Sequence, residues 1–119
     1  MSTPEGVEVD AAAHEVAWRE GGEAVRAEVP GAFAARYDPV SDRLIVLTGH
    51  NGGAVAILSR RGERLATIEA PAGYAVSHFA DAGGATIVCR GEARDGAWWD
   101  WHFIVDAGAG EMRRIGPAY

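Results

Sequence analysis

The chain has 119 residues, of which 48% are hydrophobic and 24% are charged, so it is long enough for one domain with one core and too apolar to be disordered. Its formal net charge at pH 7 is −6, and its 11 basic residues are all arginines scattered along the chain, which argues against a nucleic-acid-binding surface. The one cysteine, Cys89, excludes a disulfide framework and a thiolate metal cage.

Targeting signals are missing from the sequence. Residues 1–6 have neither the basic start nor the apolar run of a signal peptide. No stretch approaches the roughly 18 consecutive apolar residues that span a bilayer. We therefore expect a cytoplasmic protein with no membrane partner and no nucleic-acid partner.

The N-terminal third predicts half of a repeating unit. Val16 and Trp18 favour a strand, and the glycines at 21 and 22 favour a turn into a second strand over 24–29. The alanines at 11–13 allow a helix over 10–20 as the alternative. The β-forming residues and the glycines behind them favour a strand from about Glu15.

Short strands follow one another from residue 42 onward, each rich in Val, Ile, Thr or aromatic residues and each bounded by turn residues. Between two such runs, Asn51-Gly52 supplies the positive φ angles of a tight hairpin. A longer charged loop over 91–96 interrupts the second round. The predicted strands are 44–48, 54–58, 64–68, 76–79, 85–89, 98–105 and 112–115.

The two rounds are a repeat, since an offset of about 42 residues superimposes Tyr37 on Phe79 and 44–47 on 86–89, a period typical of β-propeller blades. The runs 44–47 and 55–58 are apolar on both faces, which predicts a sheet covered on both sides. We therefore predict a single all-β domain of antiparallel four-strand meanders, about two and a half propeller-like blades. A small β-sandwich or barrel is the alternative. The domain spans 1–119, with a half unit over 14–32 and full units over 33–74 and 75–119.

Segments 37–44 and 103–111 resemble the blade hairpins of β-propeller repeats, of the quinoprotein-like kind. The tail over 100–116 also resembles the ends of small uncharacterised bacterial proteins. These resemblances imply a propeller-like fold and bring neither a cofactor nor an activity, so no cofactor is expected. Fewer than four blades do not close a ring, so we expect self-association as a homodimer, with five blades in a two-fold ring as one arrangement.

The segment from Trp98 to His102 is the most unusual in the chain. On a strand, the odd-numbered side chains from Trp99 onward share one face and the even-numbered ones share the other. Two interpretations stay open for Trp99 and Trp101. They belong to the core or a buried interface, or they form an aromatic platform for a protein partner or a sugar. Trp98 is expected to be exposed.

The charged loop after Gly91 is the main departure from repeat symmetry, and such loops often carry function. Its charged residues join the tryptophan strand in the set of candidates. The candidate partner-binding residues are Glu92, Arg94, Asp95, Trp98, Trp99, Asp100, Trp101 and His102.

Catalytic and metal-binding patterns are weak. The four histidines are dispersed and do not have the spacing of a metal site. Cys89 lies in an apolar run and is expected to be a buried structural thiol. Asp100 and His102 are able to pair on one strand face, but no Gly-x-Ser-x-Gly turn accompanies them. We expect no enzymatic activity and no metal site.

These observations predict a non-enzymatic protein–protein interaction module that self-associates. The first alternative is an acidic inhibitor or immunity-type protein, which blocks a partner enzyme with carboxylates such as Glu92 and Asp95. The second alternative is a small sugar-binding protein or hydrolase that uses the strand 98–102.

Overall fold

The structure is a computed structural model that describes residues 3–49, 53–80, 84–92 and 98–118. All the regular elements in these ranges are β-strands. None of the described residues belongs to a helix long and apolar enough to cross a membrane. The strands are β1 Glu5–Asp10, β2 Glu15–Glu20, β3 Glu23–Glu28, β4 Ala32–Asp38, β5 Arg43–Thr48, β6 Ala54–Leu58, β7 Arg64–Glu69, β8 Tyr74–Phe79, β9 Thr86–Glu92, β10 Trp98–Asp106 and β11 Glu111–Pro117.

The strands form three antiparallel meanders, in which each strand pairs with its neighbour in the sequence. Sheet A contains β1–β3, sheet B contains β4–β7, and sheet C contains β8–β11. The prediction of an all-β fold built from antiparallel four-strand meanders is confirmed. The helix considered over 10–20 is wrong, since Glu15–Glu20 is strand β2 and pairs along its whole length with β3.

Strand β1, Glu5–Asp10, was not predicted from the sequence. It carries only two apolar side chains, Val7 and Val9, which alternate with acidic residues, so it contains no dense apolar run. Both valines pack against the core between sheets A and B. The first unit therefore has three strands and begins earlier than the half unit over 14–32.

Sheet B lies between the other two sheets and is covered on both faces. Ile45 and Leu47 pack in one cluster with sheet C residues such as Ile87 and Phe103. The alternate residues of the same strand, Leu44 and Val46, pack in a second cluster with sheet A residues. All four side chains of this β5 run are fully buried. The three open sheets thus stack face to face in a sandwich-like arrangement, as the two-sided apolar runs predicted.

Polar bonds fasten each outer sheet to the middle one. The guanidinium of Arg60, in the β6–β7 turn, donates to Glu20 of sheet A at 2.6 and 3.0 Å and to Asp42 of the β4–β5 turn at 3.2 Å. On the other side, Arg36 of sheet B donates to the carbonyl oxygen of Ala80 at 3.1 Å and lies 4.5 Å from the ring centre of Phe79 in sheet C. These contacts fix the relative positions of the sheets.

Sheets B and C approach closely where β6 begins. Gly53 has a φ of +92°, and a Cβ placed on it would lie 2.5 Å from the carbonyl oxygen of Thr48 and 3.0 Å from Cβ of Val76. Only glycine fits this position. The Thr48 hydroxyl closes the turn through bonds to the main chain of Ala54. The Asn51-Gly52 turn predicted from the sequence lies outside the described residues.

Candidate functional site

Strand β10 extends beyond the part of sheet C that sheet B covers. It has nine residues, whereas its counterpart β6 has five. Along its inward face, Val105 and Phe103 are buried in the core, Trp101 is half-buried at the margin, and Trp99 is 45% exposed. The strand therefore carries a row of large apolar side chains from the core out into solvent.

Four side chains from three strands meet at this end of sheet C, and we call them the aromatic surface: Tyr74, Trp99, Trp101 and Arg114. The rings of Trp99 and Trp101 are 6.1 Å apart between centroids and tilted by 37°. The Arg114 guanidinium lies 4.6 Å from the ring centre of Trp101, and its Nη1 donates to the Tyr74 hydroxyl at 2.8 Å. Tyr74 in turn packs edge-on against Phe103, with centroids 5.0 Å apart. Each ring is thus held by a neighbour.

Gly91 lies on β9, beneath the side chains of the aromatic surface. It pairs with Tyr74 on β8 and with Trp99 on β10, so it lies in the middle of a cross-strand row. A Cβ built on Gly91 would lie 2.7 Å from Cδ1 of Tyr74 and 3.3 Å from Cδ1 of Trp101. The absence of a side chain at this position leaves room for the rings of Tyr74 and Trp101 on either side of it.

The opposite face of β10 has a different chemistry. Asp100 lies there beside Arg90, with 3.5 Å between its carboxylate oxygen and the arginine Nε. His102 pairs across the sheet with Val88 and makes no described hydrogen bond to Asp100. The Asp–His pair that a hydrolase would use is therefore not formed among the described contacts.

The structure brings together only part of the predicted set. Trp99 and Trp101 share the aromatic surface, while Asp100 and His102 lie on the other face of sheet C. The backbones of Glu92 and Trp98 pair with each other at the end of the β9–β10 ladder. Their side chains, together with Arg94 and Asp95, lie outside the described residues. The expectation that Trp98 is exposed stays a prediction.

Sequence reasoning missed Tyr74 and Arg114. Each lies on a strand far along the chain from Trp101, and only the strand pairing brings them to it. A β-bulge between His102 and Phe103 shifts the pairing so that Arg114 lies opposite Phe103, on the inward side. The repeat pattern gives no signal for this bulge. The sequence does place Tyr74 two residues before the buried Val76 on β8, and this spacing predicts that both side chains lie on the inward face.

A groove of about 490 Å³ lies elsewhere, between the β4–β5 turn and the far end of sheet C. Val40, Ile104 and Arg113 contribute to its walls. The buried carboxylate of Asp38 is engaged by the amides of Val40 and Ser41 and by the hydroxyl of Ser41, at 2.6 to 3.3 Å. This aspartate therefore shapes the β4–β5 turn.

Cys89 does not provide a nucleophile. It is fully buried in the core between sheets B and C, and this burial raises the pKa of its thiol to about 11. A thiol with that pKa is almost entirely protonated at neutral pH, whereas the thiolate is the reactive form. Among the described residues, no group of His, Cys, Asp or Glu is arranged to hold a metal ion.

Comparisons with protein-family models, with curated proteins and with solved structures give no match for this chain. The geometry of the aromatic surface is therefore the basis for the functional inference.

Proposed function

We propose that the chain is a non-enzymatic protein–protein interaction module of the cytoplasm, and that it binds a protein partner through the aromatic surface. Trp, Tyr and Arg are the residue types that dominate binding hot spots in protein interfaces. All three occur here, next to one another and at the solvent boundary of a buried core. The same proposal treats the three stacked sheets as propeller-like blades, which supply a rigid support.

The exposure of Trp99 is the observation that carries this proposal. It lies on the same strand face as the buried Phe103 and Val105, yet 45% of it is in contact with solvent. Covering that part of an indole, roughly 100 Å² of apolar surface, contributes about 2–3 kcal/mol to binding. One side of the ring lies beside Trp101, with 6.1 Å between the ring centroids, so part of the indole is already packed before a partner binds.

The arrangement favours a protein over a sugar. A flat sugar ring stacks best on an open aromatic plane, but Arg114 covers one face of Trp101, and the two indoles are tilted by 37°. The arginine adds a cation to the edge of an apolar patch. We infer a partner that presents an apolar side chain to Trp99 and a carboxylate to Arg114, since arginine binds carboxylates through two parallel bonds.

Photo-cross-linking tests the proposal in cells. A photoreactive phenylalanine analogue at position 99 is expected to capture one discrete protein partner. The matched control carries the analogue at position 65, because Leu65 is 48% exposed on sheet B and lies outside the aromatic surface. We expect the adduct from position 99 and not from position 65.

Binding of the purified partner then tests the residues. Trp99→Ala is expected to weaken binding at least about 30-fold, in line with the loss of 2 kcal/mol or more at a hot spot. Leu65→Ala is expected to leave affinity within about two-fold of the parent. The proposal is overturned if positions 99 and 65 give the same adducts or if Trp99→Ala binds normally. Binding to immobilised glycans that is lost in Trp99→Ala would instead support the sugar-binding alternative.

A further inference from the structure

Sheet A has three strands, whereas sheets B and C have four each. The links between the sheets show which strand of the unit sheet A lacks. A glycine with positive φ ends the link into sheet B and the link into sheet C, Gly31 at +77° and Gly73 at +86°. The next residue, Ala32 or Tyr74, then donates its N–H to the carbonyl oxygen three residues earlier, at 3.1 and 3.0 Å. The two links are equivalent, so β3 corresponds to β7, the last strand of sheet B.

The strands before these links also correspond. His14 directly precedes β2 and Gly53 directly precedes β6, and both have a positive φ angle. Each accepts a main-chain hydrogen bond from the first residue after the neighbouring strand, Val29 at 2.8 Å and Ala70 at 3.1 Å. Hence β2 corresponds to β6 and β1 to β5. Sheet A, as far as the structure describes it, lacks the counterpart of β4 and β8, the first strand of each full unit.

Strand β1 therefore has an open edge where β5 has a neighbour. In sheet B, β5 pairs with β4 on one side and with β6 on the other. Of the described strands, only β2 pairs with β1. The inward side chains of β1, Val7 and Val9, are only half-buried, although they pack against the core. An edge of unpaired N–H and C=O groups is the template to which an extended peptide adds as a further strand.

The outward face of β1 carries a row of carboxylates. A β-bulge between Glu5 and Glu8 places Glu5 opposite Arg19 and Glu8 opposite Ala17, two residues on the same face of β2. Asp10 follows Glu8 on that face. All three acidic residues are exposed, and the described ion pairs include none of them. A strand that pairs with this edge thus has negative charge beside its outward side chains.

This charge determines which segment fits the edge. Residues directly opposite each other in an antiparallel pair lie on the same face, and like charges there are destabilising. Two copies of β1 joined edge to edge would bring Glu8 against carboxylates of the other copy. Lysine or arginine side chains in an added strand would instead be attracted to Glu5 and Glu8. On the inward side, apolar side chains would extend the contact that Val7 and Val9 make with the core.

We propose that an extended segment of a partner protein, with basic and apolar side chains in alternation, adds to the edge of β1 as the missing first strand of sheet A. The segment runs antiparallel to β1, as β4 runs to β5. Its basic side chains lie beside Glu5, Glu8 and Asp10, and its apolar ones lie on the inward face. The aromatic surface lies on sheet C, at the other end of the stack, so this inference is independent of the proposed function.

A synthetic peptide tests the main-chain part of this inference. The probe is a fluorescein-labelled peptide of alternating lysine and valine, seven residues long, as β4 is. Fluorescence anisotropy is expected to show saturable binding to the parent chain, and the amide protons of β1 are expected to exchange more slowly in the complex. The same peptide methylated at every main-chain nitrogen keeps its charge but donates no ladder bonds, so it should not bind. A peptide of alternating glutamate and valine should not bind either.

Charge variants test the side-chain part. Glu8→Lys is expected to weaken binding of the lysine–valine peptide at least about tenfold, because like charges then meet across the ladder. The matched control is Glu111→Lys, an equal charge change at an exposed position on sheet C, which should stay within about two-fold of the parent. Trp99→Ala should also bind the peptide normally, so failure of this inference is distinguishable from failure of the proposed function. Circular dichroism confirms that each variant is folded.

Three results would each overturn the inference. The first is a parent chain that does not bind the lysine–valine peptide. The second is equal binding of the methylated peptide, which would show attraction by charge alone. The third is equal binding by Glu8→Lys and Glu111→Lys, which would place the contact away from β1.

Discussion

The indole Nε1 of Trp18 donates a hydrogen bond of 2.9 Å to the main-chain carbonyl oxygen of Arg60. The donor belongs to sheet A and the acceptor to the β6–β7 turn of sheet B, so this bond crosses the interface between two sheets. Trp18 is only 2% exposed and is one of the largest fully packed side chains of the chain. The same turn is also held through the Arg60 side chain and Glu20, so sheet A is fastened at two points.

Trp18→Phe is expected to destabilise the fold. The substitution removes the only donor of the indole, leaves the Arg60 carbonyl without that partner and opens a small void, which together decrease the free energy of unfolding by about 1–3 kcal/mol. Urea unfolding followed by circular dichroism measures the change. Trp99→Phe is the matched control, and it is expected to change the stability by less than about 0.5 kcal/mol because its ring is half exposed. Equal effects of the two substitutions would contradict the assigned role of Trp18.

Acid stability is expected to depend on Tyr37 and Asp42. The Tyr37 hydroxyl donates to the Asp42 carboxylate at 2.6 Å, and this bond, followed by the nearby Arg60 charge, holds the pKa of Asp42 below its usual value. A carboxylate whose pKa is lower in the folded state stabilises the fold above its unfolded pKa, near 3.9, and loses that contribution as the pH falls through the folded pKa.

Tyr37→Phe should therefore weaken the dependence of the unfolding free energy on pH under acidic conditions. Unfolding free energies measured between about pH 6 and pH 2 should fall less steeply in the variant than in the parent. Asp42→Asn should weaken this dependence in the same way, since it removes the titrating group. A variant as steep as the parent would show that this hydrogen bond does not couple to folding.

The thiol of Cys89 is expected to report global unfolding. Because burial raises its pKa to about 11, the native protein at pH 8 should react with an aromatic disulfide reagent only after the core between sheets B and C opens. The rate of reaction should rise in urea in parallel with the loss of circular dichroism. Rapid labelling of the native chain without denaturant would contradict the buried position.

Gly91→Ala is expected to disturb the aromatic surface more than the fold. The added methyl group meets the Tyr74 ring and the edge of Trp101, so the tyrosine must move and its bond with Arg114 must break. We expect a changed tryptophan emission spectrum and weakened partner binding. Gly116→Ala is the control, because a Cβ on Gly116 meets nothing within 4 Å. Identical spectra for the two variants would contradict the close packing at Gly91.

Much of the fold follows from the sequence, because its two strongest signals are local. Turn glycines mark the strand ends, and the uninterrupted apolar runs of β5 and β6 require cover on both faces, which sheets A and C provide. Strand β1 was missed because its two valines alone give a weak pattern. Its burial depends on sheet B, which the local sequence does not show.

The candidate site was less accessible to sequence reasoning. Because side chains alternate between the two faces of a strand, the sequence predicted that Trp99 and Trp101 share a face of β10. It predicted neither how far they are buried nor which residues contact them. Those depend on where sheet B ends and on the bulge that directs Arg114 inward. Both are consequences of packing between strands far apart in the sequence.

The enclosure of sheet B has a consequence for the dynamics of the chain. Each outer sheet packs only on its neighbour, so fraying can begin at either end of the stack without exposing the innermost amides. The amide protons of β5 and β6 should therefore be the last to exchange with deuterated water. Those of β3 and β11, at the margins of the end sheets, should exchange first.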